Sequence, residues 1–157
     1  MLLESASTRL RTQLDSLATV LQGASANALE RRPVSGKWSA RENLAHLARY
    51  QIVFLERLQR IRDEDRPRFG RYRAEDDPEW GNWIDRPAED VLRELRVGRE
   101  EIVRAIESLS EDGLRRVGVH PRFGEMTVAE WLEFFLLHEA HHLLAVFQRV
   151  RERDATP

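Results

Sequence analysis

A bundle of four α-helices is the fold this sequence predicts, and three observations predict it. Apolar residues recur at helical spacing in four long segments. Two of those segments open on a capping box, a Ser or Thr followed three residues later by Glu. No segment reads as a strand, because apolar–polar alternation is not found along the chain. One antiparallel bundle spanning all 157 residues is expected.

The first helix runs from about Ser5 to Gln22, with Leu3, Ala6, Leu10, Leu14, Leu17 and Leu21 on one stripe, and Gly23 stops it. A short turn around Ala26–Arg31 and a loop from Pro33 to Gly36 follow. The second helix starts at Ser39, whose hydroxyl can cap the Glu42 amide while the Glu42 carboxylate reaches back. Trp38, just outside, can staple onto Asn43 or Leu44. Leu47, Phe54, Leu58 and Ile61 form the apolar face, and the helix ends near Arg62.

A long connection from Asp63 to about Arg86 separates the second and third helices. Connections of this length are uncommon in compact domains and often functional. Trp80 and Trp83 predict that it folds over something. The third helix has Pro87 in its first turn and Glu89 and Asp90 at its positive end. Val91, Leu95, Ile102, Ile106 and Leu109 make its stripe; Gly98 interrupts it, at a cost of about 1 kcal/mol relative to Ala. A Gly- and Pro-containing connection from Ser110 to Met126 leads to the fourth helix, which opens on Thr127 and Glu130 and continues to about Arg153. Leu132, Leu136 and Leu143, extended by Leu137 and Leu144, give that helix a second apolar face about 120° from its histidines. A helix apolar nearly all round is central or shared with a partner, so a homodimer is expected.

Composition excludes several classes. Lys and Arg number 25 against 27 Asp and Glu, whereas a nucleic-acid-binding surface usually leaves a basic excess. No stretch approaches the roughly 18 apolar residues that span a bilayer. The start, Met-Leu-Leu-Glu-Ser-Ala-Ser, lacks the basic and apolar regions of a secretion signal. There is no cysteine, which fits a reducing compartment and removes thiolates from any metal site. A cytoplasmic protein with no nucleic-acid or membrane partner is expected.

Three of the five histidines fall in the window His138-Glu139-Ala140-His141-His142. His138 and His142 are one turn apart on one face, within roughly 20° of Trp131 and Arg149 at the centre of the inward stripe. Two imidazoles so placed can share a metal ion. A single inward histidine is more often a hydrogen-bonded core residue, but two together are costly to bury unless each is satisfied. His141 falls on the flank. The window also matches the H-E-x-x-H signature of zinc proteases. The longer form of that signature fails at Ala145 and Gln148, Glu152 projects away from the histidine face, and no substrate-pairing strand is read. A third ligand must come from upstream, where His46 lies at the edge of the second helix's apolar stripe beside Tyr50 and Val53. His120, in a loop before Pro121, suits an exposed or capping role.

Together these pieces resemble the DinB/YfiT-like family of bacterial four-helix proteins, over nearly the whole chain. The resemblance rests on Gly36-Lys37-Trp38-Ser39 leading into Glu42-Asn43-Leu44-Ala45-His46-Leu47. It rests also on Gly124-Glu125-Met126-Thr127 leading into His138-Glu139-Ala140-His141-His142-Leu143. The resemblance implies a three-histidine metal site, here His46, His138 and His142, taking Zn²⁺, Ni²⁺ or a similar ion, and a homodimer. It implies for some members a thiol transferase or isomerase activity using a low-molecular-weight thiol; other members have no assigned activity. The Arg-Gly-Gln that follows the last ligand in some members is replaced here by Leu143-Leu144-Ala145.

A divalent ion on three neutral ligands keeps its charge and can lower the pKa of a thiol or water, as a transferase or, more remotely, a hydrolase requires. A metal-stabilised binding or stress-response module without turnover is the alternative, and a plain bundle with incidental histidines is a third. Glu139 lies beside the ligand face and either orients an imidazole or pairs with an arginine of a neighbouring helix. Arg57, Arg60, Arg62, Arg66, Arg68, Arg71 and Arg73 either meet carboxylates of a thiol cofactor or form a solvated face offset by Asp63, Glu64, Asp65 and the acidic run 75–77. Ligation is expected to weaken below about pH 6.5, where free imidazole takes a proton.

Overall fold

The computed structural model describes residue 2 and residues 4–152. Leu3 of the first stripe and the expected helix end at Arg153 lie outside the described residues. Three long helices dominate: α4 (Ala40–Asp63), α6 (Ala88–Glu107) and α8 (Val128–Arg151). The fourth side of the bundle is an N-terminal stretch, α1 (Glu4–Thr12) and α2 (Ser16–Val20), joined by a 3₁₀ turn, Gln13–Asp15. That stretch is not the single helix expected. Thr12 and Ser16 hydroxyls bond back to the carbonyls of Thr8 and Gln13, a pattern that bends helices. The short α3 (Ala26–Glu30) is capped by Ser25, which accepts from the Ala28 amide. Both capping boxes form, on Ser39–Glu42 and Thr127–Glu130.

The core divides into two apolar clusters at different levels of the bundle. Leu10, Phe54, Ile102, Trp131 and Phe135 belong to one, and Leu17, Leu47, Leu95 and Val146 to the other. Between them each side of the bundle contributes one polar residue, Gln13, Gln51, Arg99 and Glu139. Glu139 is 0% exposed and ion-paired with Arg99. It also accepts from Gln13 Nε2 at 2.8 Å and Gln51 Nε2 at 3.1 Å. A buried ion pair costs desolvation that further hydrogen bonds must offset, and the two glutamines supply them. At this level α6 approaches α4 closely: a Cβ on Gly98 would stand 2.7 Å from the Gln51 Cβ.

The sequence showed no strand, but the structure has a hairpin, β1 (Val117–His120) paired antiparallel with β2 (Gly124–Thr127). Strands of four residues are too short for alternation to stand out. The turn closes on Gly124 at φ 77°, where glycine carries no steric penalty. Val119 also pairs with the α4–α6 connection, donating to the Pro67 carbonyl at 2.8 Å and accepting from the Phe69 amide at 3.1 Å. The long connection is therefore pinned to the hairpin. It contains a 3₁₀ turn at Ala74–Asp76 and the short α5 (Trp80–Ile84). After it, α7 (Glu111–Arg115) precedes the hairpin. No helix among the described residues is long and apolar enough to cross a membrane.

Candidate metal centre

Helices α4 and α8 pack together, and the structure brings His46 of the first against His138 and His142 of the second. One ring nitrogen from each lies within 4.8 Å of the other two. His46 Nε2 and His138 Nε2 are 3.1 Å apart. His142 Nδ1 lies 2.8 Å from Asn43 Oδ1, while Asn43 Nδ2 donates to the Ser39 carbonyl at 2.8 Å. An amide oxygen only accepts, so His142 Nδ1 carries the proton and its Nε2 keeps a free lone pair. The Nδ1 atoms of His46 and His138 are buried without a partner. Aromatic packing holds those two rings instead: Trp38 at 5.0 Å and Tyr72 at 5.9 Å from His46, Tyr50 at 4.5 Å from His138.

Burial disfavours charge on all three. Desolvation, aided by His138, holds His46 down at about 3. Desolvation, with His141 and Arg57, holds His138 at about 4, and desolvation with the three neighbouring histidines holds His142 at about 2. Each ring is therefore neutral at physiological pH, the form that ligates. Three converging neutral nitrogens with no thiolate suit an ion such as Zn²⁺ or Ni²⁺, so the donor set fits the group that the resemblance implies. Burial also moves proton competition in the folded protein from about pH 6.5, the sequence-based expectation, down to about 4.

The other candidates fall outside this set. His141 is exposed, with its ring 5.2 Å from His142. His120 caps the hairpin turn, its Nδ1 accepting from the amides of Arg122 and Phe123 at 3.1 Å each. Glu139 turns away into the Arg99 pair, which is the structural alternative considered for it; it cannot act as the base of an H-E-x-x-H protease. That protease reading stays excluded even though one ground for it, the lack of a strand, was mistaken. Glu152 pairs with Arg149.

A cavity of about 530 Å³ opens beside His46 and His138, walled by Tyr50, Tyr72 and Phe134 and by the hairpin turn from His120 to Phe123. Another, of about 400 Å³, lies on the His142 side against Lys37, Trp38 and Asn43. Trp38 does more than an N-terminal staple: its ring lies 5.9 Å from His142 and 5.0 Å from Trp80, and its carbonyl accepts from Asn43 Nδ2 at 3.4 Å. The long connection thus supplies Tyr72 and Trp80 over the histidines, while Trp83 is buried in the core. Asn43, Tyr72 and the hairpin wall were not read from sequence as site elements. The quoted motif contains Asn43, but its role depends on a residue of another helix. Of the arginine-rich stretch, Arg60, Arg62, Arg66 and Arg73 pair with surface carboxylates, whereas Arg57 and Arg71 line the cavity.

The DinB superfamily model matches residues 9–146. The chain is 34% identical over 142 residues to YuaE of Bacillus subtilis, an uncharacterized protein, covering 78% of this chain and 83% of YuaE. It is 26% identical over 137 residues to a protein of Oceanobacillus iheyensis provisionally named a metal-dependent hydrolase, covering 86% of this chain and 78% of that one. Among solved structures, YfiT of Bacillus subtilis superposes with a TM-score of 0.82 at 17% identity, over 94% of this chain and 85% of YfiT. YfiT is described as a probable metal-dependent hydrolase with an unusual four-helix bundle topology. The DinB-like protein YjoA of Bacillus subtilis gives a TM-score of 0.63 at 17% identity, over 98% of this chain and 96% of YjoA.

Proposed function

The chain belongs to the DinB superfamily, and on that premise we propose that it is a metal-dependent transferase: His46, His138 and His142 hold one divalent ion, and a low-molecular-weight thiol is activated there for attack on an electrophile. The observation that supports this is a cluster of three neutral imidazoles, two of which, His46 and His138, open onto a cavity that no carboxylate lines. A divalent ion supplies Lewis acidity, which lowers the pKa of a coordinated thiol. Asn43 orients His142, and the rings of Trp38, Tyr50 and Tyr72 exclude water around the ligands.

A thiolate is itself the nucleophile and needs no further base. Water attack usually draws on a positioned base. Glu139 is committed to Arg99 and Asp77 to Arg49 and Tyr72, and the exposed Glu75 lines the cavity on the His142 side, not the one beside His46 and His138. His120 uses Nδ1 as an acceptor, so its Nε2 carries a proton and offers a donor, not a base. Hydrolysis is the second reading, favoured by what the Oceanobacillus protein and YfiT are called. Zinc-loaded protein is to be assayed with a panel of thiols and an aryl halide, and in parallel with activated esters. Conjugation that disappears on zinc removal and in His46→Ala supports transfer. Conjugation surviving zinc removal contradicts it, ester cleavage without thiol consumption selects hydrolysis, and no turnover in either assay leaves a metal-stabilised binding module.

We also propose a homodimer. Leu132, Leu136 and Leu143 are buried in the bundle, but Leu137 and Leu144 on the same helix are 64% and 56% exposed, with Phe147 beside them. Such an apolar strip suits a second copy of the chain. Sedimentation at micromolar concentration checks it, and a monomer there would contradict it.

A further inference from the structure

Three arginines are buried, and two of them have a carboxylate: Arg99 has Glu139 and Arg149 has Glu152. The third, Arg57, has none among the described residues. It is 8% exposed and lines the cavity beside His138. Its Nη1 donates to the Tyr50 hydroxyl at 3.2 Å and its Nη2 to the Gly70 carbonyl at 3.2 Å, both neutral acceptors. Three rings surround the guanidinium, Tyr50 at 5.9 Å, Phe69 at 5.5 Å and Trp131 at 5.4 Å. A guanidinium keeps its charge at any physiological pH, and a buried cation without an anion is a costly arrangement. The rings and neutral acceptors lessen that cost without supplying a countercharge.

Two more cations stand at the same cavity. Arg71 and Arg122 are exposed, and neither has an ion-pair partner among the described residues, whereas Arg66 and Arg73 nearby are paired with Glu125 and Asp76. The cavity thus gathers three uncompensated cations, three histidines (His46, His120 and His138) and aromatic walls.

We propose that Arg57, supported by Arg71 and Arg122, is the recognition site for an oxyanion, a carboxylate or phosphate, on the small molecule that enters this cavity. The substrate class is a small anion whose reacting end faces His46 and His138 while its charged end meets the guanidinium. Planar, delocalised Arg suits either oxyanion through paired N–H donors. This rests on reading the cavity as the reaction site, but it is tested without turnover, so failed conjugation and failed anion binding are separate results.

Calorimetric titration of succinate, inorganic phosphate and neutral succinamide into the full chain, with and without zinc, is the test. Succinate or phosphate binds measurably in both forms and succinamide does not; the tighter of the two anions names the oxyanion. Arg57→Gln weakens that binding about tenfold or more at unchanged zinc content. Arg57→Lys recovers part of the loss, and Arg62→Gln, on the paired surface, changes nothing. Equal binding by wild type and Arg57→Gln, or equal binding of succinate and succinamide in the zinc-free protein, overturns the proposal. Should Arg57→Gln fail to fold through loss of its Tyr50 and Gly70 contacts, the Arg71→Gln/Arg122→Gln pair and the wild-type comparison decide: undiminished binding in the pair together with no preference for the anion overturns it.

Discussion

The His142 ring is held by Asn43, whose own amide nitrogen is anchored on the Ser39 carbonyl that begins α4. A helix cap thereby fixes which imidazole nitrogen stays free, and Asn43→Ala removes that control while leaving the three histidines in place. Zinc affinity is predicted to fall about 10- to 100-fold, measured by competition with a chromogenic chelator; unchanged affinity would mean that Asn43 does not orient the ring. The same burial that keeps the histidines neutral sets a pH dependence. Their folded values of about 3, 4 and 2 lie below the ordinary 6.5, so the unfolded chain binds more protons as pH falls from 6.5. Stability of the metal-free protein therefore rises with pH in this window. It is lost on acidification by about 1.4 kcal/mol per pH unit for each histidine, down to about pH 4. Urea unfolding of metal-free protein at pH 7.5 and 5.5 checks this, and a flat midpoint would contradict it. The pairing of His138 with His142 was legible because both sit on one helix at i,i+4. His46 was selected mainly by resemblance, since its packing against another helix has no local signature.

The polar layer shows what the helices do for one another. Gln13, Gln51, Arg99 and Glu139 meet only when all four sides of the bundle are in register, so the layer penalises sliding of one helix past another. Glu139→Ala leaves Arg99 buried without its anion and is predicted to cost about 3–5 kcal/mol in chemical unfolding. A loss below about 1 kcal/mol would show the layer to be dispensable. Gly98 reverses an ordinary expectation. Alanine favours helix by about 1 kcal/mol over glycine, yet its Cβ would stand 2.7 Å from that of Gln51. Gly98→Ala should therefore destabilise, by about 1–3 kcal/mol, and a raised melting temperature would refute the close approach. In sequence Gly98 looked like an interruption, because the contact that requires it lies on α4. The hairpin was missed for a similar reason. Its strands are stabilised by the pairing of Val119 with Pro67 and Phe69, and by the fit of Gly118 against Ile61 and Phe69.

At the scale of the whole molecule, the bundle supplies two helices that carry the histidines. The α4–α6 connection and the hairpin, pinned together, wall the cavity beside them. Helix count, caps and apolar stripes were readable because periodicity and capping are local properties. The wall was not, since its residues come from segments far apart in the chain, Tyr72 from the connection and Phe123 from the hairpin turn. This architecture, we propose, exists to hold one divalent ion on His46, His138 and His142. Elemental analysis of untagged protein, purified without chelator and compared with His46→Ala and His138→Ala, tests it most directly. About one Zn²⁺ or Ni²⁺ per wild-type chain is expected, with loss of the ion in both folded variants. A wild-type chain that neither carries nor takes up a divalent ion, or variants that retain it, would contradict it.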